Sequence, residues 1–548
     1  MLREAWKKEG VTPAPKADDA TFLRRVYIDI AGTIPTAETV TRFLADGSPD
    51  KRKKIVDELL ASPEYAEHWM NYWDDVLMGR ESKGNQVDRV AFRYWLRSRF
   101  AAASPWDRIV RDLVAATGQN SIGGRKIKGP AMAATVPLGS DVPDKDDEDA
   151  VELDKINGAV NWTLRFENAP QDLSGNASRI FLGVQIQCAQ CHDHKTESWK
   201  QDDFRKFTSA FLHLKPEAID RGKAMGNIKR VDLVDAPKVL PRFANNPETK
   251  PYARAKATAL DGTDLEKGEG TRKALAAWIT SKENPWFAKA IVNRYWGHFL
   301  GRGFHDPVDD IRPSNPATMR ELLDAIAADF SAHDFDLKHL VRTICATEAY
   351  QLAASAQAKT DAENKLWGRF HLVPLGPEEL LNALLRATDI ESAAQKAKVP
   401  NLDQLRANLV KQYVFLFEVD EEADEPDYSG TVTQALVLLN GALVAQGSRA
   451  LPGSALAELA SKPGGDAEKI DALVLRVLGR KPTAEERASW IAYVQNGSNG
   501  AKTTGPKKTG AGPIDRLANK GGKVTPKQAA YEDLLWALLN SSEFVFNH

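Results

Sequence analysis

Tyr65-Ala66-Glu67-His68-Trp69-Met70-Asn71-Tyr72-Trp73-Asp74-Asp75-Val76-Leu77-Met78 is the stretch from which the fold class is read. Its apolar residues recur at steps of three and four, the period of an α-helix with one buried stripe. Working outward, residues 22–30 form a helical run that stops at Gly32, and Pro35-Thr36-Ala37-Glu38 restarts the chain with Thr36 as N-cap. Residues 54–60 are another periodic segment. Gly479-Arg480-Lys481-Pro482-Thr483-Ala484-Glu485 echoes the Gly32–Glu38 stretch, and Thr483 with Glu486 adds a capping box. Two copies do not make a solenoid, so the echo is read as shared turn chemistry. Helical runs return after Arg272, at 274–279, 286–300, 319–331, 336–347, 377–387, 404–412, 432–446, 466–478, 484–495 and 528–541. The expected fold is mainly α, two helical regions packed together with a minor β or irregular segment between them.

Three segments break the pattern. Residues 119–158, with the acidic run 144–149, read as a surface excursion. Residues 216–268 lose helical period and carry short extended pieces at 230–234 and 238–240. Residues 497–526 are rich in Gly, Lys, Thr and Pro and are expected to be a mobile loop. The expected domains are therefore an N-terminal helical domain at 1–215, an extended connector at 216–268 and a C-terminal helical domain at 269–548.

Composition bounds the function. A chain of 548 residues has room for several domains, and 43% hydrophobic content supplies their cores. With 73 Lys+Arg against 75 Asp+Glu there is no basic field, which argues against a general nucleic-acid binder. No apolar run approaches the roughly 18 residues of a membrane span. Leu2-Arg3-Glu4-Ala5-Trp6-Lys7-Lys8 reads as an amphipathic helix rather than a signal peptide. The protein is then cytosolic, or a targeting segment lies upstream of Met1. Walker, G-x-G-x-x-G, H-E-x-x-H and G-x-S-x-G patterns do not occur, which disfavours nucleotide-driven, zinc-protease and serine-hydrolase chemistry.

Three cysteines exclude a disulfide scaffold, but two of them fall in Cys188-Ala189-Gln190-Cys191-His192-Asp193-His194. C-x-x-C-H is the covalent attachment signature of haem c: two thiols anchor the vinyl groups and His192 becomes the proximal iron ligand. Residues 180–187 are expected to be a helix delivering the motif to a buried site, with Trp199, Phe204, Phe207 and Phe211 as an apolar wall. Zinc is the main alternative, held by Cys188, Cys191, His194 and a remote histidine such as His213, with His192 or His298 as other completions. A redox dithiol or two packed core cysteines are the remaining readings.

Residues 22–32 with Pro35-Thr36, Leu60-Ala61-Ser62-Pro63-Glu64-Tyr65, and 181–194 together resemble the large planctomycete cytochrome-associated proteins of unknown function. Residues 293–304, 307–316, 336–344, Gln434-Ala435-Leu436 and 538–544 resemble that family's companion C-terminal domain. The resemblance implies a periplasmic or secreted protein whose signal peptide precedes Met1. It also implies a setting of polysaccharide utilisation, and redox partner proteins or polysaccharide as partners. Many relatives carry Pro-Phe after the last histidine, where this chain has Lys195-Thr196, a less apolar mouth. The leading expectation is a c-type cytochrome-like protein with an electron-transfer or redox role. The alternatives are a zinc-stabilised scaffold and a polysaccharide-acting hydrolase or lyase.

Further candidates lie in the second half. His298 is a candidate second axial ligand, against a structural role at a helix end, which is the heavier reading. Asp309, Asp310 and Arg312, with Asn315, form a polar loop whose paired carboxylates suit a cation or acid–base work, and equally turn capping. His298 or this loop is expected to face the Cys188–His194 segment across an interdomain groove. The acidic residues of 418–427 lack EF-hand spacing and are read as a solvated loop. Trp69, Trp73 and Trp296 are read as core rather than sugar-stacking residues.

Overall fold

The computed structural model describes residues 1–79, 86–123, 153–219, 228–268, 270–354, 360–399, 409, 413, 439, 441–497 and 524–548. The readings made for the acidic runs at 144–149 and 418–427, for most of 404–412, and for 498–523 of the expected mobile loop lie outside the described residues. The rest is mainly α, with five short strands among the described residues. None of the described helices is long and apolar enough to cross a membrane.

The chain divides into two units, both discontinuous in sequence. The first comprises Met1–Glu9 and, of the described residues, 65–347; the second comprises Gly10–Glu64 and Glu348–His548. These divisions differ from the 215 and 269 boundaries drawn from composition, which both fall inside the first unit. Local composition marks where helical period stops. It does not reveal that helices of 10–64 are covered by helices more than 300 residues later.

In the first unit the helix Pro63–Met78 buries Tyr65, Trp69 and Trp73 completely or nearly so. Trp69 stacks on Tyr295 of the helix Phe287–Leu300 at 4.4 Å, and Trp73 packs on Trp106 at 4.3 Å. Trp106 and Trp162 in turn meet Phe181, so aromatic packing reaches the helix Pro170–Leu182 that precedes the cysteine motif. The minor sheet is antiparallel, with Val231–Asp235 between Leu214–Ala218 and Gly118–Gln119 and Leu214 paired to Asp235. Val231 and Leu233 point inward while Lys215 and Glu217 stay wet or half-wet, as the two-residue strand period requires. Residues 230–234 thus are largely strand as expected, whereas 238–240 are not. Buried Arg272 ties the helix Thr271–Ile279 to this sheet through Asp235 at 2.7 Å and the Val114 and Ala116 carbonyls.

In the second unit Thr36 and Thr483 cap their helices as read, accepting from Thr39 and Glu486 amides, and Gly32 and Gly479 both adopt the left-handed stop. The two echoed turns lie together: a Cβ on Gly479 would stand 3.8 Å from Pro35. Leu380, Leu384, Leu473, Val477, Leu535 and Phe544 share one core. Arg24 donates to the Val477 and Phe544 carbonyls, and Asp29 accepts from Tyr350 and Asn547, each at 2.6 Å. The helix Asp19–Ala31 therefore holds the chain's last residues.

Candidate functional site

The helix Pro170–Leu182 ends at Gly183 in the left-handed conformation (φ 67°), five residues before Cys188. This corrects the expected helix over 180–187. Past Gly183 the backbone turns outward, with Val184 and Ile186 anchored inside, and Gln187–Gln190 form one 3₁₀ turn. Ala189 is fully buried, so the flanking Cys188 and Cys191 point to solvent. Neither thiol is in a disulfide. His192 is exposed too, and the motif is a surface feature rather than the buried site expected, because only its alanine carries apolar contact inward.

The turn is held mainly through its backbone. Gln201, at the start of the helix Gln201–Ser209, donates from Nε2 to the Gln190 and Cys191 carbonyls at 3.0 and 2.9 Å. Its amide donates to the Asp193 carboxylate. Phe204, Phe207 and Phe211 are fully buried core residues. Phe204 packs on Tyr252, and Phe207 on Phe211. Burial raises the Tyr252 phenol above its ordinary range, with Arg205 opposing the rise. Trp199 packs on Trp286 instead, so the four aromatics do not form a single wall.

The histidines differ in what their ring nitrogens are doing. His192 Nδ1 lies 2.7 Å from the Asp193 carbonyl and must donate to it, which leaves Nε2 as the lone-pair nitrogen. His194 Nδ1 instead accepts from the Glu197 and Thr196 amides at 3.1 and 3.3 Å, so its neutral ring carries the proton on Nε2. His213 donates from Nδ1 to the Ala236 carbonyl at one end of the Leu214–Ala218 and Val231–Asp235 pair. His298 sits among His68, Trp69, Tyr72 and Phe299, with ring centroids 5.0–5.8 Å away. These four rings all lie outside the cysteine turn.

The Asp309 loop does meet the motif's supporting segment. The Ile311 amide donates to the Gly183 carbonyl at 2.7 Å, and Gln185 donates to the Asp309 carbonyl. A Cβ on Gly183 would lie 2.7 Å from the Ile311 side chain, so glycine serves both the left-handed turn and the close approach. Asp309 is buried between Arg294 and Arg179, the latter at 3.2 Å. Asp310, also buried, pairs with Arg312 at 3.0 Å and takes a bond from Asn315. His305 donates to the Asn315 carbonyl, and burial holds its imidazole below the usual range, towards the neutral form. Both segments belong to the first unit, so the expected groove between two domains is instead a junction inside one.

Residues 1–215 match the PSCyt2 family, a protein of unknown function (DUF1549). Residues 271–412 match PSD1, likewise a protein of unknown function (DUF1553). Searches of curated proteins and of solved structures gave no match. The Gly183–Ile311 contact therefore joins the stretch similar to PSCyt2 to the stretch similar to PSD1 within one compact unit. Gln201 and Gly183 were not singled out in the sequence. Gly183 carried a signal, as the glycine after an apolar helical run.

Proposed function

We propose that the Cys188–His192 turn is a covalent haem-attachment segment and that the protein is a secreted or periplasmic, c-type cytochrome-like redox protein. The PSCyt2 match fits the planctomycete cytochrome-associated family; the polysaccharide-utilisation setting is what the resemblance to that family implies. The observation that carries the reading is the pair of imidazole roles: His192 keeps its Nε2 lone pair, while His194 spends Nδ1 on the turn. The donor set also fits, with two exposed thiols outside any disulfide three residues apart and the imidazole next in line. When bound, haem supplies a one-electron couple tuned by its axial ligands. The chain would supply the thiols of Cys188 and Cys191 as thioether anchors, an addition of S–H to vinyl groups that needs no oxidant. His192 would ligate, oriented by the Asp193 carbonyl. Electron-transfer proteins are the partners this reading calls for.

Zinc held by Cys188, Cys191, His194 and His213 is less well supported, because ligation by His194 would cost its two amide bonds. Acid–base action on polysaccharide by Asp309 and Asp310 is also less well supported, because both carboxylates are engaged by arginines. The test is expression in a host with periplasmic haem-attachment machinery. The expected product has a Soret band that survives denaturation and acid–acetone extraction and is absent from Cys188→Ser/Cys191→Ser. Colourless wild-type protein from that host overturns the reading.

A further inference from the structure

We propose that Asp329, His333 and His339 form a binding site for a divalent transition-metal ion, separate from the cysteine turn. Asp329 lies in the last turn of the helix Arg320–Ala332, His333 is its C-cap, and His339 is in the first turn of the helix Leu337–Ala346. One donor atom from each lies within 4.8 Å of the other two. The carboxylate faces both rings, with His339 Nε2 2.7 Å from one oxygen and His333 Nδ1 3.4 Å from the other, while the same Nδ1 donates to the Asp329 carbonyl at 2.8 Å. The imidazoles stack at 3.7 Å with planes 18° apart.

The surroundings separate this trio from an ordinary acidic surface. Asp324 and Asp334 nearby are taken by Lys289 and Lys282, at 2.6 Å each. Among the described residues, the Asp329 carboxylate meets the two histidine rings. One carboxylate and two imidazoles suit a borderline ion such as Zn²⁺, Co²⁺ or Ni²⁺ rather than the all-oxygen shell of Ca²⁺ or Mg²⁺. Three protein ligands leave a coordination position open to water or to another ligand.

The turn between the helices is held firmly. Asp334 and Phe335 both have left-handed φ, at 52° and 58°, a conformation unfavourable for a bulky side chain. Phe335 is buried against Phe287 and Phe330, and its carbonyl accepts the Trp106 amide at 3.0 Å. Asp336 caps the second helix through Lys338 N. The exposed ring of His333 can leave the stack to direct a nitrogen at an ion, while Asp329 and His339 sit on rigid helices. Asp334, the residue after His333, also lines a cavity of about 660 Å³ with Arg108, Arg111 and Lys282.

Co²⁺ titration of the chelator-washed 548-residue chain tests the site. The expected result is one equivalent bound with visible d–d bands and no thiolate-to-cobalt charge transfer, retained in Cys188→Ser/Cys191→Ser. His333→Ala, a change at an exposed residue, and His339→Ala should each weaken binding at least about tenfold, since even outer-shell changes cost that much. Circular dichroism of the two variants should match wild type. Undiminished Co²⁺ affinity in both histidine variants overturns the proposal, as does loss of all Co²⁺ binding in the cysteine variant.

Discussion

The Asp309 loop and the Cys188–His194 turn belong to one unit and are built on opposite terms. In the loop, charged side chains are buried and committed: Asp309 lies between Arg294 and Arg179, and Asp310 between Arg312 and Asn315. In the turn, Ala189 is buried and the chemistry-bearing side chains of Cys188, Cys191 and His192 face water. Side chains hold the first. Backbone bonds from Gln201 hold much of the second, so its reactive groups carry little of the fold. Residue type does not separate a scaffold from a working site here; burial and commitment of partners do.

The largest expected effect strikes the loop. Asp309→Ala leaves the Arg294 guanidinium buried without its carboxylate, and should lower unfolding stability by about 3–5 kcal/mol in urea titration. A loss below about 1 kcal/mol would remove the contrast. Asp29 sharpens it from the second unit, where the carboxyl meets the neutral donors Tyr350 and Asn547. Burial pushes its pKa up to about 7, with those bonds and nearby Arg25 pulling partway back. The unfolded chain gives up this proton near pH 4. The folded state therefore holds the extra proton between about pH 4 and 7, and stability falls as pH rises through that window. Asp29→Asn should flatten that part of the stability–pH curve, and an unchanged slope would assign it to other groups.

Gly183→Ala tests the junction between the two regions. A left-handed φ and the 2.7 Å approach to Ile311 should together cost about 2–3 kcal/mol. If the cost reaches the motif, the variant should also lose haem attachment in the maturation host, though its cysteines remain. The smallest stability effect is expected at the turn: Cys188→Ser/Cys191→Ser should stay within about 0.5 kcal/mol of the wild-type chain without haem, because both side chains are exposed. A larger loss would mean that the thiols carry the fold after all.

What the sequence determined by itself is local. The three- and four-residue period marked the 65–78 helix, the Gly-then-Pro-Thr punctuation marked two helix restarts, and the Cys188–His192 spacing put two thiols and an imidazole on one short segment. Each depends on residues a few positions apart, where backbone geometry links spacing directly to direction. Tertiary structure alone decided the rest. It set 10–64 with 348–548 in one unit, spent Asp309 on arginines 15 and 130 residues away, and turned the cysteine motif outward. It also stacked His333 on His339, a pair whose six-residue spacing carries no metal signature until the Asp334–Phe335 turn folds one helix end back on the other. Burial and ion pairing are set by whichever distant surfaces meet when apolar faces are covered, and local periodicity does not encode that choice.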